Sequence, residues 1–407
     1  MLSLISHIKS LVGTHTHNEL LRAETFGLLS QLENAYLIIE NDVIHSFGEM
    51  KNLPEFNFDI IIDAKDKYIL PTYCDSHTHL VFAATRESEF AQRIAGMTYQ
   101  EIATAGGGII NSAQKLSDCD ESKLYDAACI RLHECIAMGT GAMEIKSGYG
   151  LNTAAELKML RVIKKLKENS PIPIRSTFLG AHAYPIAYKE NHQRYIDIIT
   201  NEMLPQIAEE GLADYCDAFV ERGFFSADEV AIIFEKATRL GIKIKVHANQ
   251  LSNSGGVQLG IHYNACSVDH LEHIGLDELK LLSQSNTIAT LLPSAAFFLN
   301  EPMPDARALI THGAAVSLAS DYNPGSSPSG NMNFVMSLAA IKMKMTTAEC
   351  INAATHNAAH AMDIEHLMGN IQIGKKANLI ITETMNSLDF IPYNFGSPSI
   401  ENIIING

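Results

Sequence analysis

The sequence predicts an α/β fold: a (β/α)8 barrel of the TIM type with a small β-sandwich domain beside it, built from both chain ends. Three observations carry this. Eight short apolar runs, at 69–74, 140–146, 174–182, 214–221, 242–247, 265–270, 287–293 and 314–320, alternate with longer stretches of helical periodicity. Polar residues capable of chemistry gather at the C-terminal ends of those runs, where a parallel barrel keeps its active site. Both ends of the chain share a strand-like character that the middle lacks. The expected boundaries are 1–67 and 365–407 for the two parts of the β-domain and 68–364 for the barrel.

Taken in order, the N-terminal part opens with a plausible hairpin. Ala35-Tyr-Leu-Ile-Ile and Val43-Ile-His-Ser-Phe are two β-branched runs around an Asn41-Asp42 turn. Phe58-Asp-Ile-Ile-Ile-Asp repeats the pattern. Thr14-His-Thr-His17 places two histidines in polar surroundings and ends no apolar run, so it predicts an exposed segment. Tyr68 to Phe82 then organises the rest: an apolar run reaches Pro71 and delivers Asp75, His77 and His79 within five residues. On an extended strand those three side chains share one face, and two imidazoles at that spacing can share a metal ion. Thr153–Glu168 and Ala227–Leu240 carry helical periodicity. Thr346-Thr-Ala-Glu349 reads as a capping box opening a helix to about Met362, with His356, His360 and His366 on helix faces. Gly369–Thr382 returns to strand character. No internal repeat or low-complexity linker interrupts this order.

Composition narrows the function classes. A chain of 407 residues with 46% apolar and 19% charged residues buries a large core. A formal net charge of −16 disfavours a nucleic-acid or anionic-membrane surface, since both need clustered Lys and Arg. Seven cysteines without paired spacing read as reduced thiols, which points to the cytoplasm. No run approaches 18 apolar residues, so no membrane span is expected.

The ends of the runs supply the chemistry. The fifth ends Lys-Val-His247-Ala-Asn-Gln250, the sixth Val-Asp-His270-Leu-Glu-His273, and the eighth Leu-Ala-Ser-Asp321-Tyr-Asn323-Pro-Gly325-Ser326. If the runs close a barrel, His77, His79, His247 and Asp321 meet at one mouth. Three neutral imidazoles and a carboxylate suit a divalent metal with a position left for water. A lone histidine is more often a hydrogen-bonded core residue. Four such residues, each ending an apolar strand, are harder to assign to packing alone.

Several motifs in order make the chain resemble the amidohydrolase superfamily and, over nearly its whole length, the imidazolonepropionase family. They are Asp75-Ser-His-Thr-His79, Val81-Phe-Ala-Ala-Thr-Arg86-Glu-Ser-Glu-Phe90, Gly106-Gly-Gly-Ile109, Lys146-Ser-Gly-Tyr-Gly-Leu151, Phe178-Leu-Gly-Ala-His-Ala183, His247-Ala-Asn-Gln250, His270-Leu-Glu-His273 and Ser320-Asp-Tyr-Asn-Pro-Gly-Ser326. The resemblance implies one Zn2+ or Fe ion per chain held by His77, His79, His247 and Asp321. It implies that Arg86 and Tyr149 bind the propionate of 4-imidazolone-5-propanoate, that Asn323, Gly325 and Ser326 line that pocket, and that His182 and Gln250 touch the ring. It also implies a homodimer. Taken alone, Arg86 reads as a surface ion pair, Tyr149 as a packed aromatic and Pro324-Gly325 as a turn.

Two departures stand out. The family's His-Ala-Asp is here His247-Ala-Asn249, and Gln250 stands where some relatives carry Glu. An amide is no general base, so that duty falls to Asp321, with His270 beside it. Ala83-Ala84 replaces the usual Gly-Gly. Lys146 ends the second run, whereas the bridging Lys of two-metal relatives belongs to the fourth; it reads as structural or electrostatic and the site as mononuclear. The implied reaction is hydrolytic opening of the cyclic amide to N-formimidoyl-L-glutamate, with His270 and His182 stabilising the oxyanion. The competing readings are a cyclic amidohydrolase such as a dihydroorotase, a guanine- or cytosine-type deaminase acting on a cyclic amidine, and a non-catalytic binding barrel.

Overall fold

The computed structural model describes residues 1–15, 17–97, 101 and 107–407. Gly106 of the glycine run therefore lies outside the described residues. Strands β1 to β5 are Leu2–Val12, Gln31–Glu40, Val43–Glu49, Ile60–Asp63 and Tyr68–Pro71. Strands β6 to β14 are Tyr73–Asp75, Thr140–Lys146, Ile174–Ala181, Tyr215–Val220, Lys243–Ile244, Val246–Ala248, Ser267–His270, Ile288–Leu291 and Val316–Leu318. Strands β15 and β16 are Leu379–Thr382 and Ile400–Ile404.

Eight of these form a parallel sheet in the order β6-β7-β8-β9-β11-β12-β13-β14, with β10 paired to β9. All seven residues of β7 are buried, as expected of a parallel strand covered on both faces. Beyond β6 and β14 the sheet closes on itself: Asp321 N donates to His77 O (3.0 Å) and His79 N to Tyr322 O (2.9 Å). The backbone that closes the barrel thus carries three of the four expected ligands. Helices lie between the strands as the periodicity predicts. One spans Thr153–Asn169, capped by the Asn152 side chain, and another Ala227–Arg239, capped by the Ser226–Glu229 box.

The chain ends build a second, seven-stranded mixed sheet in the order β16-β15-β5-β1-β2-β3, with β4 also paired to β1. Asn41, in the turn between β2 and β3, adopts a left-handed φ of 58°, which asparagine tolerates. Ile5, Ile8, Leu11, Leu37, Ile69, Leu379 and Ile381 form this sheet's core. The two termini are thereby held together by burial of β-branched surface.

Three local expectations need correction. The run 69–74 is two strands: β5 joins the chain-end sheet through β1 and β15, and only after Thr72 does β6 enter the barrel. Apolar content could not show that switch, because both sheets bury the run. The helix from Thr347 stops at Ala354, with Thr355 at φ −123°, ψ −80°, and a separate turn runs His356–His360. His356 is buried, its Nε2 2.7 Å from the Glu19 carbonyl, so it docks the 17–21 segment. His15 is half-buried rather than exposed and lies 3.2 Å from Asn352 Oδ1. Among the described residues no helix is long and apolar enough to cross a membrane.

Candidate active site

At the C-terminal mouth of the barrel the imidazoles of His77, His79 and His247 form a buried group whose nearest ligand atoms lie within 4.8 Å of one another. His79 Nε2 and His247 Nε2 are 3.4 Å apart, and Asp321 Oδ1 is 3.5 Å from both His77 Nε2 and His79 Nε2. Ligand atoms placed tetrahedrally about 2.0–2.1 Å from one ion would be about 3.4 Å apart. The donor set therefore fits a metal. His77 Nε2 is a further sign, being buried with no hydrogen-bond partner among the described residues. Burial, with Lys146 next in weight for His77 and His247 for His79, holds both imidazoles well below their ordinary pKa. They are neutral, as ligation requires.

Carboxylates back two of the rings. Asp269 Oδ2 is hydrogen-bonded to His77 Nδ1 at 2.6 Å; Asp217 Oδ2 lies 2.9 Å from His247 Nδ1, close but off hydrogen-bond alignment, while its Oδ1 accepts from His247 N at 3.1 Å. Such partners fix ring tautomer and orientation in metal sites. Asp75 does not join the imidazole group. It accepts from Ser320 N (2.9 Å) and Ser320 Oγ (2.5 Å), pinning the residue before Asp321. Asp321 itself sits at φ 52°, and His270 and Leu271 at 87° and 68°. Non-glycine residues in this region are strained, and such strain concentrates at functional sites.

A cavity of about 170 Å3 opens above this cluster. Its lining includes His79, His247, His270, His182, Asp321 and Gln250, together with Arg86, Tyr149, Asn323, Gly325 and Ser326. Of the four ligand candidates only His77 is not on that wall. Every residue proposed to touch substrate is brought to it, although several serve it indirectly. Asn323 organises the turn after β14: its Oδ1 accepts from Gly325 N and Ser326 N, both 2.8 Å, and its Nδ2 donates to Asp321 O and Ser326 Oγ, both 2.7 Å. Ser326 Oγ is 3.4 Å from Asp321 Oδ2. Arg86 is only half-buried. Its Nε donates to Ser112 Oγ (2.9 Å), and its guanidinium carbon lies 5.9 Å from the centre of the Tyr149 ring. Gly325 makes room for it, since a Cβ there would stand 2.5 Å from Arg86 Nη1.

His182 donates from Nδ1 to the Gly148 carbonyl at 3.0 Å, and burial with His247 nearby lowers its pKa to about 3. A neutral ring whose proton is on Nδ1 offers only a lone pair at Nε2. His182 is thus an acceptor toward the cavity, which corrects the expectation that it stabilises an oxyanion. Burial works against protonation of His270, but the neighbouring Glu272 carboxylate, 3.5 Å away, and Asp321 raise its pKa above the ordinary value. Of the two rings, His270 is the one whose surroundings favour a protonated form.

The Asn249 departure does not reach the cavity. At φ 59° its Nδ2 donates to His273 O (2.8 Å) and Glu278 Oε1 (2.9 Å), shaping the loop that carries Gln250. Sequence reasoning missed Asp217, Asp269, Glu156 and Ser112. Glu156, fully buried, accepts from Gly148, Gly150 and Leu151 N at 2.7–3.0 Å and so holds the loop bearing Tyr149. A charged residue inside an apolar run was the available signal for Asp217 and Asp269, because such a charge is costly unless paired. Ser112 carried none.

Comparison with known proteins agrees with this architecture. Residues 68–407 match the model of the amidohydrolase family. A curated relative from Flavobacterium johnsoniae, named imidazolonepropionase, is 50% identical over 100% of this chain and 99% of its own length. One of the same name from Christiangramia forsetii is 49% identical with the same coverage. The solved structure of E. coli guanine deaminase superposes with a TM-score of 0.74 at 14% identity, covering 100% of this chain and 98% of that one, a likeness of fold. The chain belongs to the amidohydrolase family and, within it, to the imidazolonepropionases.

Proposed function

We propose that this protein hydrolyses the cyclic amide of 4-imidazolone-5-propanoate to N-formimidoyl-L-glutamate, with one zinc or iron ion held by His77, His79, His247 and Asp321. One observation carries the reading: a three-imidazole, one-carboxylate cluster presents His79, His247 and Asp321 to a single small cavity that the guanidinium of Arg86 also lines. Relatives named for the activity at 49–50% identity over the full chain support the substrate. A non-catalytic binding barrel has no use for such a cluster, and a purine or pyrimidine deaminase has no need of a cation for a substrate carboxylate. Lys146 supports a single ion, because its ammonium is committed to Glu144 and Asp217 at 2.6 and 2.8 Å and does not line the cavity.

When bound, the ion acidifies a water and polarises the ring carbonyl. The chain's own residues do the rest. Arg86, steadied by Ser112, receives the propionate carboxylate beside Tyr149, and a guanidinium fork suits that group. His182 Nε2 accepts a ring N–H and sets the ring's orientation. Asp321 takes the proton of the attacking water at Oδ2, the oxygen facing Ser326. His270 donates to the carbonyl oxygen as charge develops there. The proton held by Asp321 then passes to the ring nitrogen as the C–N bond breaks, so the water's hydroxyl ends on carbon and its proton on nitrogen. Gln250 orients substrate and moves no proton.

Purified protein given 4-imidazolone-5-propanoate should form N-formimidoyl-L-glutamate and leave dihydroorotate, guanine and cytosine unchanged. Turnover of guanine or cytosine without turnover of the imidazolone would overturn the reading in favour of a deaminase.

A further inference from the structure

Beneath the imidazoles lies a group of fully buried charges that the reaction does not use: Glu144, Lys146, Asp217, Lys245 and Asp269. Lys146 Nζ is 2.8 Å from Asp217 Oδ2 and 3.6 Å from Asp269 Oδ2. Those two oxygens are the ones that face His247 Nδ1 and His77 Nδ1. One ammonium therefore touches both atoms that orient two of the three imidazoles, while Glu144 Oε1, 2.6 Å away, anchors it from the third side. Lys245 belongs to the same network by a different route. It donates to Ser76 O (3.0 Å) and pairs with the other oxygen of Glu144; its charge reaches Asp269, but it makes no hydrogen bond or ion pair with Asp217 or Asp269. The two lysines are matched in charge and burial but not in what they hold.

We propose that Lys146 is a positioning residue for the metal centre, locking Asp217 and Asp269 so that His247 and His77 present their Nε2 atoms to one ion. This rests on the reading of His77, His79, His247 and Asp321 as ligands. A carboxylate freed from Lys146 would still be basic, but it would no longer hold its ring at a fixed angle. Partners of this kind influence metal affinity about 10–100-fold.

The test is chelator competition for Co2+ in the full-length protein, read by affinity and by the visible cobalt spectrum, which reports ligand arrangement. Lys146→Met should bind Co2+ about 10–100-fold more weakly than wild type, with an altered spectrum. Lys245→Met, which removes the same charge from the same depth, should stay within about threefold and keep the wild-type spectrum. Lys146→Gln retains a donor and the packing volume, so it supplies the answer if the Met variant does not fold; it too should weaken binding and alter the spectrum. Equal losses in the Lys146 and Lys245 variants would mean that charge alone matters, and wild-type affinity with an unchanged spectrum in a folded Lys146 variant would show simple structural packing. Either result overturns the inference. Wild type binding no ion would instead overturn the ligand reading and this inference with it.

Discussion

The two halves of the cavity are built differently. The imidazole cluster stands on strand ends and on the backbone bonds that close the barrel, with buried carboxylates behind two of its rings. The Arg86 half stands on loops: a half-buried guanidinium steadied by one serine, a Tyr149 loop held by Glu156, and a turn folded around Asn323. Strands and their closing bonds resist displacement, whereas loops tolerate change and carry selectivity. The contrast teaches that reactivity and substrate choice are separable here. Damage to the first half should abolish turnover of any substrate, and damage to the second should change which substrate is preferred.

The largest effect should come from the first half. Removal of the ion by a chelator should abolish activity, and restoring one equivalent of zinc or iron should return it; full activity in verified metal-free protein would break the comparison outright. Asp321→Asn with metal restored should still lose at least about 10²–10⁴-fold in kcat, the range of general-base catalysis alone. Metal content by elemental analysis separates a lost base from a lost ligand.

Next in size is the second half. Arg86→Ala should lower kcat/KM for the imidazolone acid by about 10–200-fold, since a charge-assisted hydrogen bond contributes roughly 1.5–3 kcal/mol and each 1.4 kcal/mol is about tenfold. Bound metal should be unchanged. Gly325→Ala sharpens the point without touching the guanidinium. Its Cβ would stand 2.5 Å from Arg86 Nη1, so it should mimic Arg86→Ala in direction with a smaller loss. A neutral Gly325→Ala would mean that the turn does not set the position of Arg86.

Gln250→Ala should be the mildest, within about tenfold in kcat/KM, the reach of a single neutral hydrogen bond. If it proves deader than Asp321→Asn with metal bound in both, the base has been assigned to the wrong residue.

The same contrast explains what the sequence could and could not reveal. Strand ends were legible because an apolar run followed by a polar residue is a strong local pattern; His77 and His79 follow one such run, and His247 and Asp321 mark the ends of two more. The residues that steady the cavity were not. Glu156 lies one turn into a helix and resembles any helix-start acid, yet it folds back onto three loop amides. Ser112 meets Arg86 across 26 positions with no periodicity to mark it. His182 was legible as a contact, but its direction depended on a carbonyl of Gly148 that only the fold brings near. The division of the 69–74 run between two sheets was hidden for a similar reason: burial by either sheet leaves the same apolar signature.

The most direct test of separable halves is kcat/KM for 4-imidazolone-5-propanoate and for its methyl ester, in wild type and in Arg86→Ala. The substitution should cost the acid about 10–200-fold and the ester far less, because only the acid presents a carboxylate to the guanidinium. Equal losses for acid and ester would contradict it, showing that Arg86 supports the site as a whole and that the two halves are one.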